Sequence, residues 1–374
     1  MTPSSRPRAY APQAATPHAP APPSRAGAIV GFGNVAANGH LPVWRERSDF
    51  RIIAVVDSDA ERRALAATTL PGIRTYSTID ELLRHEELDF VDIATPPAFH
   101  AAAIIAAAEV GVHVLCEKPV TTSVHEYRTV REAIRRSGVV LHTVHNWKYS
   151  EAFNTVRQLL RAGTLGLLNR ISFNTARDGC AVTTRDNWRV QAAVAGGGIL
   201  VDHGWHAFYL LLALAQERPQ CIRAALERRR YLDAEVEDTA VCAIDFPSLT
   251  GEIRLTWAAA ERRTEWRFVG NDGQLVVSDD EVLIQSKSGR HSQRLGMALS
   301  AGSHHPEWFA GVVDSFRQEI DDPSTRGTNQ AEAEWCLLML NRAYASGARD
   351  SQPMVIPQPP EWLDGGVFES GAVE

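Results

Sequence analysis

The chain has 374 residues, enough for about two domains with buried cores, and its 44% hydrophobic and 22% charged residues place it with globular proteins. Lys and Arg number 38 against 45 Asp and Glu, a net charge of −7 that excludes a dedicated nucleic-acid binder, which needs a basic surplus to meet phosphates. Apolar runs such as 101–108 and 198–201 fall short of the roughly 18 to 20 residues that cross a bilayer, and five scattered cysteines without a C-x-x-C pair read as reduced thiols of a cytoplasmic protein.

Residues 1–25 hold seven prolines and six alanines without apolar periodicity, and a disordered tail is expected there. From Gly27 onward, short apolar runs at 27–31, 51–57, 89–95, 112–115 and 139–144 read as buried strands alternating with helical segments. Ser77-x-x-Asp80 and Ser123-x-x-Glu126 resemble capping boxes, and Gly111 and Gly138 sit where helices should stop. This alternation predicts a Rossmann doubly wound parallel sheet over residues 26–147.

The first strand runs into Gly31-Phe32-Gly33-Asn34-Val35-Ala36, which matches G-x-G-x-x-G/A between a strand and a helix. Gly31 permits the tight turn, Gly33 lets a pyrophosphate approach the backbone, and the helix N-terminus faces the phosphates. Asp57 ends the second strand, 21 residues beyond Ala36, where a carboxylate accepts from both ribose hydroxyls and repels a 2′-phosphate. NAD is therefore the expected cofactor, with NADP as the alternative should Arg62 or Arg63 serve its phosphate.

Farther on, Cys116-Glu117-Lys118-Pro119 follows the run 112–115, placing Lys118 at the carboxyl end of a parallel strand, where such sheets bind ligands. A helix is expected at 151–162 and a strand at 168–173. Gly196-Gly197-Gly198-Ile199-Leu200-Val201-Asp202-His203-Gly204-Trp205-His206 opens an apolar helix on which Asp202 and His206 share a face at i and i+4. His203 should point about 100° off that face, which leaves a metal set incomplete, so no metal is expected.

Strand-like runs then dominate, at 239–246, 251–257, 264–269, 274–277 and 281–285, with hairpin signals at Asn271-Asp272-Gly273 and Asp279-Asp280. Ile253, Leu255 and Trp257 alternate with Glu252, Arg254 and Thr256, as in a sheet with one covered face. Residues 148–374 therefore read as an α+β domain with a large, mostly antiparallel open sheet. The basic run 227–230 reads as a solvated face in a strand region. His304 and His305 precede a helix at 306–319, with His305 in a cap or surface role, and a second helix is expected at 330–345.

Four separated segments, in order, resemble the Gfo/Idh/MocA family of oxidoreductases: the glycine turn with Asp57, Glu117-Lys118-Pro119, Trp188-Arg189, and the GGG-x-L-x-D-x-x-x-H run ending at His206. The resemblance covers nearly all of residues 27–357. It implies that Lys118 is the active-site lysine, Asp202 its carboxylate partner, and His206 the histidine that exchanges a proton with a substrate hydroxyl. It also implies a cis Lys118–Pro119 peptide and cofactor contacts at Gly31, Phe32, Gly33, Asn34, Val35, Asp57, Ser58, Thr95, Pro96, His100, Glu117 and Lys118. Substrate contacts would come from Lys118, Asn146, Trp147, Trp188, Asp202 and His206, although His145-Asn146-Trp147-Lys148 stands where many relatives carry an arginine-containing segment. Family members form dimers or tetramers through the second sheet, and a homo-oligomer is expected here.

These roles suit alcohol oxidation, in which a neutral imidazole takes the proton while a cation steadies the developing alkoxide. The expected function is an NAD(P)-dependent dehydrogenase or reductase acting on a sugar, sugar derivative or polyol. Two alternatives are a glycosidase that uses bound NAD without net redox change, and a non-catalytic dinucleotide sensor. The sensor predicts a broken catalytic set, whereas Lys118, Asp202 and His206 are all present.

Overall fold

The computed structural model describes residues 24–181, 187–287 and 289–357. All but the last two residues of the proline-rich segment expected as a tail lie outside the described residues, and Arg25 already belongs to the first strand.

Six parallel strands form the first sheet: β1 (Arg25–Val30), β2 (Phe50–Val56), β3 (Arg74–Tyr76), β4 (Phe90–Ile93), β5 (His113–Cys116) and β6 (Leu141–Thr143). Their spatial order is β3-β2-β1-β4-β5-β6, so the winding reverses between β1 and β4 and opens a crevice at their carboxyl ends. The connecting helices are α1 (Leu41–Glu46), α2 (Ala60–Thr69), α3 (Ile79–His85), α4 (His100–Glu109) and α5 (Val124–Ser137). β3 was not among the expected strands, because Arg-Thr-Tyr carries no apolar run.

Caps explain the helix limits. Ser123 accepts the Glu126 N–H at 3.2 Å at the start of α5, and Gly138 closes it at φ 70°. For α3 the cap lies one residue later than expected, on Thr78, which accepts the Glu81 N–H at 3.2 Å while Ser77 bonds the Glu81 carboxylate.

Nine strands form the second sheet: β7 (Leu168–Ala176), β8 (Cys221–Glu227), β9 (Thr239–Asp245), β10 (Thr250–Thr256), β11 (Arg263–Gly270), β12 (Gly273–Ser278), β13 (Glu281–Ser286), β14 (Gly289–Arg294) and β15 (Met354–Val355). Their order is β14-β13-β12-β11-β7-β10-β9-β8-β15, antiparallel throughout except for the β7–β10 pair. Ile253, Leu255 and Trp257 are buried as the alternation requires. The basic run 227–230 is not strand beyond Glu227; it turns so that the N–H groups of Arg229, Arg230 and Tyr231 converge on the buried Asp238 carboxylate at 2.6 to 2.9 Å.

The remaining helices are α6 (Glu151–Arg161), α7 (Ala192–Ala195), α8 (Trp205–Ala215), α9 (Pro306–Asp321) and α10 (Thr328–Gly347). A π-helical turn, Leu200–Gly204, leads into α8. The helical run Ala192–Ala215 is long and apolar enough to cross a membrane by length and composition, a run the sequence reading passed over; 67% of its apolar window is buried inside the fold. The α9 helix returns to the first sheet, where Phe309, Val312 and Phe316 join Trp44, Phe50 and Phe90 in one core. Full burial of such a side chain contributes about 1.5 to 3 kcal/mol, so α9, although it follows the second sheet in sequence, is held firmly on the first.

Candidate active site

A cleft of about 980 Å³ runs from the crevice beside β1 to the mouth of α8. Its Rossmann wall includes Gly31, Gly33, Asn34, Val35, Asp57 and Ser58, with Thr95, Pro96 and Glu117 beyond them. Lys118, Asn146, Trp147, Trp188, Asp202 and His206 line the other end. Segments far apart in sequence thus meet at one site.

The cradle fits a dinucleotide. Gly31 holds φ 91°, and a Cβ there would sit 2.8 Å from the Thr95 nitrogen, so only glycine makes this turn. A Cβ on Gly33 would meet nothing within 4 Å, which leaves its backbone open to a ligand. Among the described residues Thr95 Oγ1 and Asn146 Oδ1 are buried without hydrogen-bond partners, as groups awaiting a polar ligand would be. Asp57 Oδ2 accepts the Phe32 N–H at 2.8 Å and Oδ1 the Asp59 N–H at 2.9 Å, and each oxygen keeps a lone pair for a ribose hydroxyl. Arg63 is committed to the Asp57 and Ser58 carbonyls, whereas Arg62 lines the cleft.

Two expected cofactor contacts lie behind the wall. The Phe32 side chain is fully buried in the core, and only its N–H serves the site, through Asp57. His100 is also fully buried, with Nδ1 2.8 Å from the Pro119 carbonyl and Nε2 2.8 Å from the Thr95 carbonyl, so it ties two cleft loops together.

Lys118, whose peptide with Pro119 is cis, reaches Asp202 twice: Nζ lies 3.2 Å from Oδ1 and 2.6 Å from the carbonyl oxygen. Burial pushes the Asp202 carboxyl pKa up, but the Lys118 charge, followed by the charges of His203, Arg189 and His206, holds it well below the usual range. The expected Asp202–His206 pairing does not form. The π turn widens the helix at this point and brings His203 to the cleft, its Nε2 3.7 Å from Asp202 Oδ2. Burial pulls the His203 pKa down to about 3 against the opposing Asp202 charge.

His206 instead meets Tyr209, Nδ1 to hydroxyl at 2.8 Å, and stacks beside Trp147 with ring centroids 5.4 Å apart. Burial, then the Lys118 charge, drives its pKa well below 6.5, so the imidazole is neutral. The sequence reading missed Tyr209, although its i+3 spacing from His206 on a helix was a usable signal. His305, expected at a cap or on the surface, is buried at the cleft and stacks on Trp308 at 3.6 Å while holding the N-cap position of α9.

Beneath Glu117 lies His40, with Nε2 3.1 Å from Glu117 Oε1 and Nδ1 3.0 and 3.1 Å from the two Asp92 oxygens. Glu117 in turn accepts the Lys118 N–H at 3.0 Å, linking the lysine's backbone to this buried network.

Residues 26–145 match an oxidoreductase family with an NAD-binding Rossmann fold, and residues 153–276 match the GFO/IDH/MocA C-terminal domain. The chain is 33% identical over 349 residues to a putative UDP-kanosamine synthase oxidoreductase subunit of Amycolatopsis mediterranei (strain S699), covering 85% of this chain and 95% of that one. It is 35% identical over 154 residues to the D-apiose dehydrogenase of Paraburkholderia graminis, a match spanning 41% of each chain. Levoglucosan dehydrogenase, solved with NADH and levoglucosan, superposes with a TM-score of 0.78 at 20% identity, over 90% of this chain and 100% of that one.

Proposed function

Because the chain belongs to the Gfo/Idh/MocA family of NAD(P)-dependent oxidoreductases, we propose that it moves a hydride between nicotinamide and a secondary hydroxyl or keto group of a sugar, sugar derivative or polyol. Bound NAD supplies the hydride acceptor. Neutral His206 takes the hydroxyl proton at Nε2, the nitrogen left free by Tyr209. The Lys118 ammonium steadies the negative charge that develops on the substrate oxygen, and Asp202 fixes its position. Trp147, Asn146 and Trp188 frame the ring of the substrate.

The observation that carries this reading is the convergence of the Lys118–Asp202 ion pair and a neutral His206 at the mouth of a dinucleotide cradle. Asp57, with its open lone pairs, favours NAD over NADP. A second copy would dock on the outer face of the second sheet, where Glu252, Arg254, Glu265 and Arg267 stand uncovered or half-covered. Five free cysteines suit a reducing compartment such as the cytoplasm.

The test is the absorbance of NADH formed from NAD, or NADPH from NADP, across a panel of sugars and polyols. A signal with one of them establishes the reaction. Sugar released from a glycoside without accumulating NADH would transfer the site to the redox-neutral alternative.

A further inference from the structure

The segment between β6 and α6 carries the chain out of the first sheet, and within it Asn146 and Trp147 line the cleft from one short helical turn, Asn146–Tyr149. His145 and Lys148, which flank them, meet a single carboxylate of α10, that of Glu332. His145 Nδ1 lies 2.6 Å from Oε2, and Lys148 Nζ lies 2.8 Å from Oε1 and 3.0 Å from Oε2. One side chain thus clasps the turn on both sides of its two cleft residues.

The hydrogens in this contact follow from the chemistry of the donors. The Trp205 indole N–H donates to His145 Nε2 at 3.0 Å, and an indole nitrogen cannot accept, so Nε2 is the acceptor and Nδ1 carries the hydrogen given to Glu332. His145, 2% exposed, is therefore a neutral ring, in keeping with a pKa that burial lowers against the Glu332 carboxylate. Burial pushes the Glu332 pKa up, but the Lys148 charge and the His145 hydrogen bond hold it at about 2, so the carboxylate is ionised.

His145 also touches the helix that bears the base. Its ring stacks on Tyr209 with centroids 4.3 Å apart, and Trp205 and Tyr209 stand one turn apart on α8 with His206 between them in sequence. The Tyr209 hydroxyl meets both the Trp147 N–H and His206 Nδ1. The turn that frames the substrate, the base and the hydrogen-bond partner of the base therefore share one support rooted in Glu332. Replacing a buried ion pair by an apolar filling is often neutral for stability, so what this pair supplies is a fixed geometry, and a displacement of 1 Å at a reacting site can cost about 10²-fold in rate.

We propose that Glu332 is a positioning residue of this site, which through His145 and Lys148 sets the turn bearing Asn146 and Trp147 against the stretch of α8 bearing His206. The proposal rests on the oxidoreductase reading for what those three side chains do, but its first test does not depend on turnover.

That test reads the histidine rings by NMR in protein carrying isotope-labelled histidine, where long-range proton–nitrogen correlations show which ring nitrogen holds the hydrogen, with signals assigned from His145→Gln, His206→Ala and His40→Gln. In the unmutated protein the His145 hydrogen should sit on Nδ1. Glu332→Gln keeps an acceptor for His145 but removes the charge that holds Lys148; it should shift the ring signals of His145 and His206 and leave those of His40, stacked on Phe309, in place. With a sugar that is turned over, Glu332→Gln should raise KM about 10-fold at unchanged NADH affinity, the value of a charge-assisted hydrogen bond. Lys148→Met should repeat that rise, and Lys148→Arg should restore most of the ordinary KM. A His145 hydrogen on Nε2, His206 signals unmoved in Glu332→Gln, shifts that spread equally to His40 as loosening of the whole fold would give, or an unchanged KM would each overturn the proposal. The expected ring signals in a protein that reduces nicotinamide with no sugar would instead sink the oxidoreductase reading and leave the clasp standing.

Discussion

The Tyr209 hydroxyl lies 2.8 Å from Nδ1 of His206 and accepts the backbone N–H of Trp147 at 3.1 Å. A hydroxyl both donates and accepts, so it follows the imidazole through either tautomer, donating to Nδ1 when Nε2 carries the hydrogen and accepting when Nδ1 does. A carboxylate at that position would stabilise the imidazolium; a hydroxyl does not, and burial with the nearby Lys118 charge keeps the ring neutral.

His206→Ala should therefore lower kcat by about 10² to 10⁴-fold with NADH affinity nearly intact. Tyr209→Phe should lower kcat by about 10-fold, the value of one hydrogen bond that orients the base. Because the His206 pKa lies well below 6.5, the acid limb of kcat/KM for oxidation should fall below pH 6.5 in the unmutated protein. Turnover unchanged in His206→Ala, or an acid limb at the ordinary histidine value, would remove His206 from this role.

Lys118 and Asp202 depend on each other, since the Lys118 charge is the largest influence keeping the buried Asp202 ionised. Lys118→Met should cost about 10² to 10³-fold in kcat through loss of oxyanion stabilisation. It should also raise the Asp202 pKa, because burial then acts with less opposition. Carboxyl titration followed by NMR or infrared spectroscopy checks the second effect, and an unchanged Asp202 titration would show that the ion pair does not hold its charge.

The architecture was legible where local chemistry dictates it. The glycine turn, the Ser123 cap, the Asn271-Asp272-Gly273 hairpin and the buried alternation Ile253, Leu255, Trp257 each carry their cause within a few residues. β14 was missed because Gly-Arg-His-Ser-Gln-Arg is exposed along its whole length and shows no alternation. Lys118, Asp202 and His206 were singled out through their motifs and line one cleft, and Lys118 is the Asp202 partner that the resemblance implied, yet the shared face of Asp202 and His206 does not pair them, because a π turn cannot be read from an i, i+4 pattern. His100 misled for a related reason: a histidine beside a cofactor loop reads the same whether its ring meets a ligand or, as here, two backbone carbonyls.

Asp57→Ala should raise KM for NAD by about 10- to 100-fold, the worth of hydrogen bonds to a charged group. It should also shift preference toward NADP, since the repelling carboxylate is gone while Arg62 remains on the same wall. Part of the loss would come from the Phe32 and Asp59 N–H groups left without their acceptor. Steady-state kinetics with both cofactors checks this, and a preference for NADP in the unmutated protein would sink the reading of Asp57.

His40 carries the last prediction, because both of its ring nitrogens face carboxylates, Nδ1 toward Asp92 and Nε2 toward Glu117, while the ring stacks on Phe309 at 3.8 Å. Such a ring needs two hydrogens, and although burial pulls its pKa down, Asp92 and Glu117 together raise it to about 9. A folded-state pKa above the unfolded value of 6.5 means that the stabilisation is complete below pH 6.5 and is lost as pH rises through 9, up to about 3 kcal/mol. The buried histidines His100, His145, His203 and His206, whose pKa values burial lowers, have the opposite sign, their cost growing as pH falls through 6.5, and both proteins carry it alike. Urea unfolding between pH 6.5 and 9 should therefore show stability falling more steeply with pH in the unmutated protein than in His40→Gln. Parallel curves for the two proteins would mean that His40 is not the imidazolium bridging Asp92 to Glu117, and the backbone of Lys118 would need another anchor.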